Sequence, residues 1–396
     1  MSSLGSQERI RDINSHLVLQ SIINDGPLSR ADLAKNLGLT KATVSSIVQA
    51  LIDSSFVKEI GSLDTSVGRK PIMLSFNGDC GSIIAIDLSV RYITILLTNL
   101  KGDRCLIDQY PNPGETSLLL ARIIEIIDIT MAKAPETIYG VIGISIGVHG
   151  VVHNNTVLFT PYYELTDLNI AEILENHFNI PIYMENEANL SALGEKIYYY
   201  DYSNLINISV HSGIGLGIIV DDKLYVGRNG YAGEFGHTII VPHGKACPCG
   251  NSGCIEQYAS EQAIINYYQE LTHTSINSPD PLMAAYSKGD NGAARSIERF
   301  IDYMSIGINN ILNTFNPDII VINSIFTMSI PDVIPRIMSS LQSHMNQSCQ
   351  IVPSYLQDMA ILLGGVYICS KNFLGIDSLV LNSELFDTGD KHGETD

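Results

Sequence analysis

The sequence predicts an α/β chain: an N-terminal winged helix-turn-helix followed by a two-lobed α/β body. Three observations predict it. Residues 8–51 hold three apolar stripes of helical period, separated by Gly26-Pro27 and by Gly38. Beyond residue 76 the order strand, strand, helix, strand occurs twice, which suggests a duplicated domain with a cleft between the halves. Charge divides at the same place. Residues 1–75 carry 8 Lys+Arg against 7 Asp+Glu, and the rest carry 15 against 35, within a formal net charge of −19. An acidic body repels DNA, so any nucleic-acid contact is confined to the near-neutral end.

In the head, Ile10, Ile13, Leu17, Ile22 and Ile23 mark a first helix. Ser29-Arg-Ala-Asp32 resembles a capping box and starts a second, with Leu33, Ala34 and Leu37 inward and Gly38 as its stop. Thr40 caps a third helix whose Val44, Ile47, Val48 and Leu51 fall on one stripe. Its other face presents Ala42, Ser46 and Gln49, flanked by Lys41, Thr43 and Ser45. Short polar groups of this kind can approach base edges in a major groove, so Thr40 to Gln49 is the expected recognition element. Strands near 56–60 and 72–76 form a wing. In the loop between them, Arg69 and Lys70 are placed for a phosphate or a narrow minor groove.

In the body, Ser82–Asp87, Tyr92–Leu97 and Tyr139–Gly147 read as strands, with a helix from Leu118 to Met131. The second half repeats this with strands at Leu205–His211, Gly215–Val220 and Asp318–Asn323. At 396 residues, with 45% apolar and 16% charged residues, ordinary globular cores are expected. No apolar run reaches membrane-span length, and the N-terminus has no basic-then-apolar leader. A cytoplasmic protein with no membrane partner is the expectation. Of seven cysteines, Cys80, Cys105, Cys349 and Cys369 are scattered in apolar surroundings and read as small core residues rather than a disulfide framework.

The remaining three cysteines carry the strongest chemistry. His237, Cys247, Cys249 and Cys254 are one imidazole and three thiols close together in sequence, a complete tetrahedral set of soft ligands for one structural Zn2+ per chain. Four protein ligands leave no open position for catalysis, so the metal fixes a loop. Glu234 and Glu256 flank it. Three other segments read as cleft chemistry: Asp87 in Ile-Asp-Leu-Ser-Val, Met184-Glu-Asn-Glu-Ala-Asn189, and the Gly-rich turn His211–Gly217.

Gly233-Glu-Phe-Gly-His237, followed by Cys-Pro-Cys-Gly-Asn-Ser-Gly-Cys-Ile-Glu256, resembles the ROK family of repressors, open reading frames and sugar kinases, and the resemblance covers nearly the whole chain. It implies an actin-like ATPase fold. The Glu-Asn-Glu-Ala-Asn string and Asn310–Pro317 are similar to the xylose-repressor branch. The resemblance carries Asn186, Glu187, Glu234, His237 and Glu256 over to the sugar-contacting positions. Expected boundaries are 1–77 for the winged helix and 78–195 for the first lobe, joined by a C-terminal helix at about 355–384. The second lobe with its metal loop is expected over 196–354, and 385–396 as a disordered tail.

The family holds both kinases and sensors, and the phosphate loops separate them. A kinase would read Asp-Ile-Gly-Gly-Thr where this chain has Asp87-Leu-Ser-Val-Arg91, and its adenosine loop would be Gly-rich where Val321–Phe326 has no glycine. Backbone cannot approach phosphate closely without those glycines. Glu187 stands where the kinases have an Asp base, one methylene shorter. The expectation is therefore a non-enzymatic repressor that binds a palindromic operator as a homodimer or homotetramer and is released by a xylose- or glucose-like sugar. The alternative is an ATP-dependent sugar kinase with a DNA-binding domain. The sugar-facing lobe departs from the family: His149 replaces Pro in the Gly-x-Pro-Gly turn, His153 replaces an Asp, and Tyr162 an Asn.

Overall fold

The computed structural model describes residues 3–62, 71–161, 169–342 and 348–381. The head consists of α1 (Ser3–Asp25), β1 (Leu28–Ser29), α2 (Arg30–Leu37), α3 (Lys41–Asp53), β2 (Val57–Ser62) and β3 (Ile72–Phe76). The three strands form an antiparallel sheet in the order β1-β3-β2. Ser29 and Asp32 close a full capping box at the start of α2, with Asp32 N–H donating to Ser29 Oγ at 3.2 Å and Ser29 N–H to Asp32 Oδ2 at 3.0 Å. Ser29 Oγ also donates to Asp32 Oδ2 at 2.7 Å, and that bond, with the one from Ser29 N–H, holds the Asp32 carboxyl below its usual range. Gly38 ends α2 at φ 65°, a conformation that glycine adopts without strain. Thr40 caps α3 by accepting from Thr43 N–H at 3.1 Å.

Val44, Ile47, Val48 and Leu51 of α3 pack inward with Leu33, as the helical period requires. Each such burial contributes about 1.5–3 kcal/mol. The first helix differs from expectation. Ile10, Ile13 and Leu17 are exposed, and the core is reached instead by Val18, Leu19, Ile22 and Ile23. The two apolar sets lie on different faces of α1, and only the second half of the helix has the head beneath it. Arg69 and Lys70 fall outside the described residues, as does the expected tail at 385–396.

The body follows as β4 (Ser82–Leu88), β5 (Tyr92–Asn99), β6 (Leu106–Pro111), α4 (Thr116–Met131), β7 (Val141–Val148), β8 (Val151–His153), β9 (Thr156–Phe159), α5 (Ile170–Phe178) and β10 (Ile182–Asn186). After α6 (Glu187–Tyr198) come β11 (Leu205–Val210), β12 (Ile214–Val220), β13 (Lys223–Leu224), α7 (Glu256–Ala259), α8 (Glu261–Thr272), α9 (Asp280–Ser287) and α10 (Asn291–Phe315). The chain continues through β14 (Ile319–Asn323), α11 (Ile325–Ser329), α12 (Val333–Ser340), β15 (Gln350–Pro353) and α13 (Met359–Leu374).

Two five-stranded sheets result, in the orders β10-β7-β4-β5-β6 and β15-β14-β11-β12-β13. In each, the first strand pairs antiparallel with the second and parallel with a later one: β4 with β5 and β7, β11 with β12 and β14. The repeated order makes the body a duplication. Parallel strands covered by helices carry near-continuous apolar runs. Thus β11 and β14 are buried at every residue.

By its internal packing the chain falls into two units. One holds the described residues up to Val148, Asn154–Glu185 and those from Gly365 onward; the other holds His149–His153 and Asn186–Gly364. The head therefore packs as part of the first unit, and α6 belongs to the second. Within the first unit, Phe56 stacks on Tyr139 with ring centroids 5.1 Å apart, and Phe373 of α13 meets both edge-on at 5.9 and 5.2 Å. Tyr139 Oη donates to Ser54 O at 2.8 Å, just past α3. Gln20 and Asn24 side chains both donate to Ser378 O at 3.1 Å, and Val380 N–H donates to Asn24 Oδ1 at 2.9 Å. Of the four scattered cysteines, Cys80 and Cys369 are buried and Cys105 and Cys349 half-buried.

Candidate functional site

The expected recognition face is presented as a surface. Thr40, Lys41, Ala42, Ser45, Ser46 and Gln49 are exposed and Thr43 is half-buried. Gln49 Nε2 is engaged with Asp53 Oδ1 at 2.9 Å, and Thr43 Oγ1 with Thr40 Oγ1 at 2.8 Å.

The other candidate residues gather within the second unit. Asn186 is the N-cap of α6: its Oδ1 accepts from Ala188 N–H at 2.9 Å and Asn189 N–H at 3.1 Å, and its Nδ2 donates to Gly150 O at 2.8 Å. This side chain thus ties the turn at 147–150 to the helix start. Glu187 follows as the first helical residue and is buried, with its Oε2 lacking any hydrogen-bond partner. A buried carboxylate oxygen left unpaired is costly. Helix α6 approaches the β11–β12 hairpin so closely that a Cβ on Gly217 would collide with Ala188 O and Ala192 Cβ. A Cβ on Gly215 would lie 3.5 Å from Glu187 Oε1.

Glu234 and Glu256 complete an acidic cluster. Burial pushes the Glu234 carboxyl up; His237 opposes that, and the charges of Glu187 and Glu256 add to it. Glu256, at the start of α7, accepts from Ile214 N–H at 3.2 Å, which is possible because Gly213 has no side chain to obstruct it. His149 and His211, which the sequence placed in the sugar-facing turn and the Gly-rich cleft segment without a role, join them, with Glu261, which it did not single out. His149 Nδ1 lies 4.0 Å from Glu187 Oε1, and His211 Nδ1 lies 3.9 Å from Glu261 Oε1. The two imidazoles meet edge to face with centroids 6.4 Å apart. His149 was recognisable as a departure at the turn, but nothing in the sequence pairs it with a residue 38 positions later.

The ligand atoms of His237, Cys247, Cys249 and Cys254 all lie within 4.8 Å of one another, a set able to coordinate a metal ion. Cys247 Sγ is 3.6 Å from His237 Nδ1, and Cys249 Sγ is 3.7 Å from Cys254 Sγ. His237 Nε2 points the other way, 3.8 Å from Glu234 Oε2. The imidazole therefore stands between the thiols and the acidic cluster. Backbone bonds brace the loop: Cys247 N–H to Asn251 O, Gly250 N–H to Cys247 O and Gly253 N–H to Lys245 O. Burial, with Cys247 and Cys249 adjoining, pushes the Cys254 thiol up to about 12. Three thiols this close cannot ionise together without a cation between them.

The first unit's corresponding hairpin is built differently. Ser89 Oγ donates to Tyr92 O at 2.8 Å, and Asn112 Nδ2 donates to Ser89 O at 2.7 Å. Side chains occupy the turn between β4 and β5. After β14, Ser324 caps α11 and Thr327 Oγ1 folds back on Ile322 O and Ser324 O, so the chain enters the helix without a glycine loop.

Comparison with known proteins gives a consistent result. The ROK family profile matches residues 83–372, and a winged helix-turn-helix DNA-binding profile matches residues 11–58. The chain is 36% identical to a xylose repressor of Bacillus spizizenii over 382 residues, 94% of this chain and 99% of that one. Among solved structures, a ROK family transcriptional regulator homologous to the Escherichia coli MLC protein superposes with a TM-score of 0.78 at 28% identity, covering 92% of this chain and 97% of that one. A ROK family glucokinase from Streptomyces griseus, in complex with glucose and AMPPNP, superposes with a TM-score of 0.65 at 25% identity, covering 73% and 99%.

Proposed function

The chain belongs to the ROK family, and from that premise we propose that it is a sugar-responsive transcriptional repressor of carbohydrate-utilisation genes, with a xylose- or glucose-like sugar as effector. The observation that carries this reading is the gathering of Glu187, Glu234 and Glu256 around a buried carboxylate oxygen without a partner, on a chain that also presents a polar recognition helix. Convergent carboxylates suit a polyol, because each hydroxyl donates a charge-assisted hydrogen bond. Asn186 orders Glu187, and His237 and Glu256 complete the sugar contacts.

The role is regulatory rather than enzymatic. The relatives named as xylose repressors align over almost their whole length. The turn that would need glycines for phosphate carries Ser89 and Val90 instead. Sugar binding shifts the equilibrium only if the form that cannot hold DNA binds sugar more tightly. A palindromic operator requires at least a dimer. Thr40 to Gln49 would read base edges, and Arg69 and Lys70 would hold phosphate.

The donor set suits zinc, which His237 Nδ1 and the three thiolates would hold. With Zn–S near 2.3 Å and Zn–N near 2.0 Å, a tetrahedron has edges of roughly 3.8 Å between sulfurs and 3.6 Å between sulfur and nitrogen. Two of the six spacings, 3.7 Å and 3.6 Å, suit those edges, and all four ligand atoms lie within 4.8 Å of one another. Its role is structural: it fixes the loop so that His237 Nε2 and Glu256 face the sugar.

The test is a mobility-shift assay with the chain's own upstream DNA and a panel of free pentoses and hexoses. A specific complex that one sugar dissolves is expected. Failure to bind any site, or ATP-dependent phosphorylation of a sugar, would overturn the reading.

A further inference from the structure

We propose that Gln257 is a positioning residue of the metal centre, donating from its amide to the Cys247 thiolate and so seating that ligand against α7. The inference rests on the zinc reading above and deepens it. Gln257 Nε2 lies 3.7 Å from Cys247 Sγ, the reach of an N–H bond to the larger sulfur atom. The backbone N–H of the same residue donates to Cys254 O at 3.0 Å. One residue outside the ligand set thus holds two of its members. Its neighbour holds the loop itself. Tyr258 Oη accepts from Lys245 N–H at 2.7 Å, and a Cβ on Gly244 would lie 2.1 Å from that oxygen. The Tyr258 ring is buried, with the Tyr303 ring 4.7 Å and the Arg299 guanidinium 5.3 Å from its centre, both carried by α10.

Charge explains why a donor is useful there. Three thiolates and a neutral imidazole around a divalent cation leave a net negative charge, which resides on the sulfurs. An amide N–H aimed at a thiolate offsets part of that charge and fixes the direction from which the sulfur reaches the metal. Cys249 is exposed, so water can serve its sulfur in the same way. Cys247 is buried, so a protein donor has to do it. Glu256, one residue earlier on the same turn, accepts from Ile214 N–H on the side of the acidic cluster. Successive residues of α7 therefore serve the acidic cluster, the metal ligand and the loop backbone in turn.

The experiment loads the full-length chain with zinc or with cobalt(II) and compares the wild type with Gln257→Leu, Gln257→Glu and Tyr258→Phe. Zinc affinity is read by competition with a chromophoric chelator. The thiolate-to-cobalt charge-transfer band reports on the sulfur electrons themselves. Gln257→Leu should weaken zinc binding about tenfold and move the band to longer wavelength, because a thiolate without its N–H donor holds its electrons less tightly. Gln257→Glu, of the same size but able only to accept, should weaken zinc binding at least as much. Tyr258→Phe removes an acceptor from the loop but touches no sulfur, so it should weaken zinc binding and leave the band in place. Unchanged zinc affinity in Gln257→Leu, or weakening with the band unmoved, would overturn the role of Gln257 and leave the metal site standing. If the wild type binds neither metal, the zinc reading falls with it.

Discussion

The two halves of the body share a strand order but end their first hairpins in opposite ways. Between β4 and β5 the turn is filled: Ser89 bonds Tyr92 O, Asn112 bonds Ser89 O, and Val90 lies at the surface. Between β11 and β12 the turn is open: Gly213, Gly215 and Gly217 allow Glu256, Glu187 and Ala188 to approach the backbone. The difference teaches where a duplicated fold keeps its chemistry. A turn satisfied by its own side chains has nothing to offer a ligand. A turn stripped of side chains lets distant carboxylates converge, and one of them retains a buried oxygen without a partner.

The comparison is broken most severely by filling the open turn. Gly217→Val should cost about 3 kcal/mol or more, because the new side chain collides with Ala188 O and Ala192 and nothing flexible lies in its way. Chemical denaturation should show the loss, and sugar response should vanish even where folding persists. Next is Cys249→Ser. Removing one of four ligands should lower zinc affinity more than about 100-fold and release His237 from its orientation, read by metal content and a blunted sugar response. Full zinc stoichiometry in that variant would contradict the ligand set.

A subtler change sharpens the view of α6, the helix that carries Glu187. Glu195, on the same helix, is fully buried; desolvation pushes its carboxyl up to about 7, although Ser354 Oγ and Leu356 N–H donate to it. A folded-state value above the unfolded one means that the folded chain binds the proton more tightly. This stabilisation is present in acid and is lost as pH rises from about 4.5 through 7. Glu195→Gln should therefore gain on the wild type by about 2 kcal/mol as pH rises from 5 to 8, measured by denaturation at each pH. A constant difference between the two would refute the shift. The smallest effect is expected from opening the filled turn: Ser89→Gly with Val90→Gly should change stability by about 1 kcal/mol and leave sugar affinity unchanged. ATP binding gained by that double variant would show that the two hairpins differ by glycine alone.

Much of this was legible in the sequence. The inner and outer faces of α3 follow from helical period, and the metal set from residue type and spacing. The duplication follows from the repeated order of apolar runs. Periodicity did not settle α1, because Ile10, Ile13 and Leu17 form as good a stripe as Val18, Leu19 and Ile22; burial is decided by what lies beneath a face. Nor could it pair His149 with Glu187 or His211 with Glu261, since those meetings depend on how strands and helices return to one place.

The ring cluster of Phe56, Tyr139 and Phe373 has a consequence for engineering. The smallest transplantable reading head is not residues 1–77. It comprises those residues together with the aromatic seat at 139 and 373 and the segment at 378–380 that holds Asn24. Chimaeras that exchange operators among related regulators should cut the chain to keep that seat matched to its head. A mismatched seat would cost the head the packing that these rings and hydrogen bonds supply.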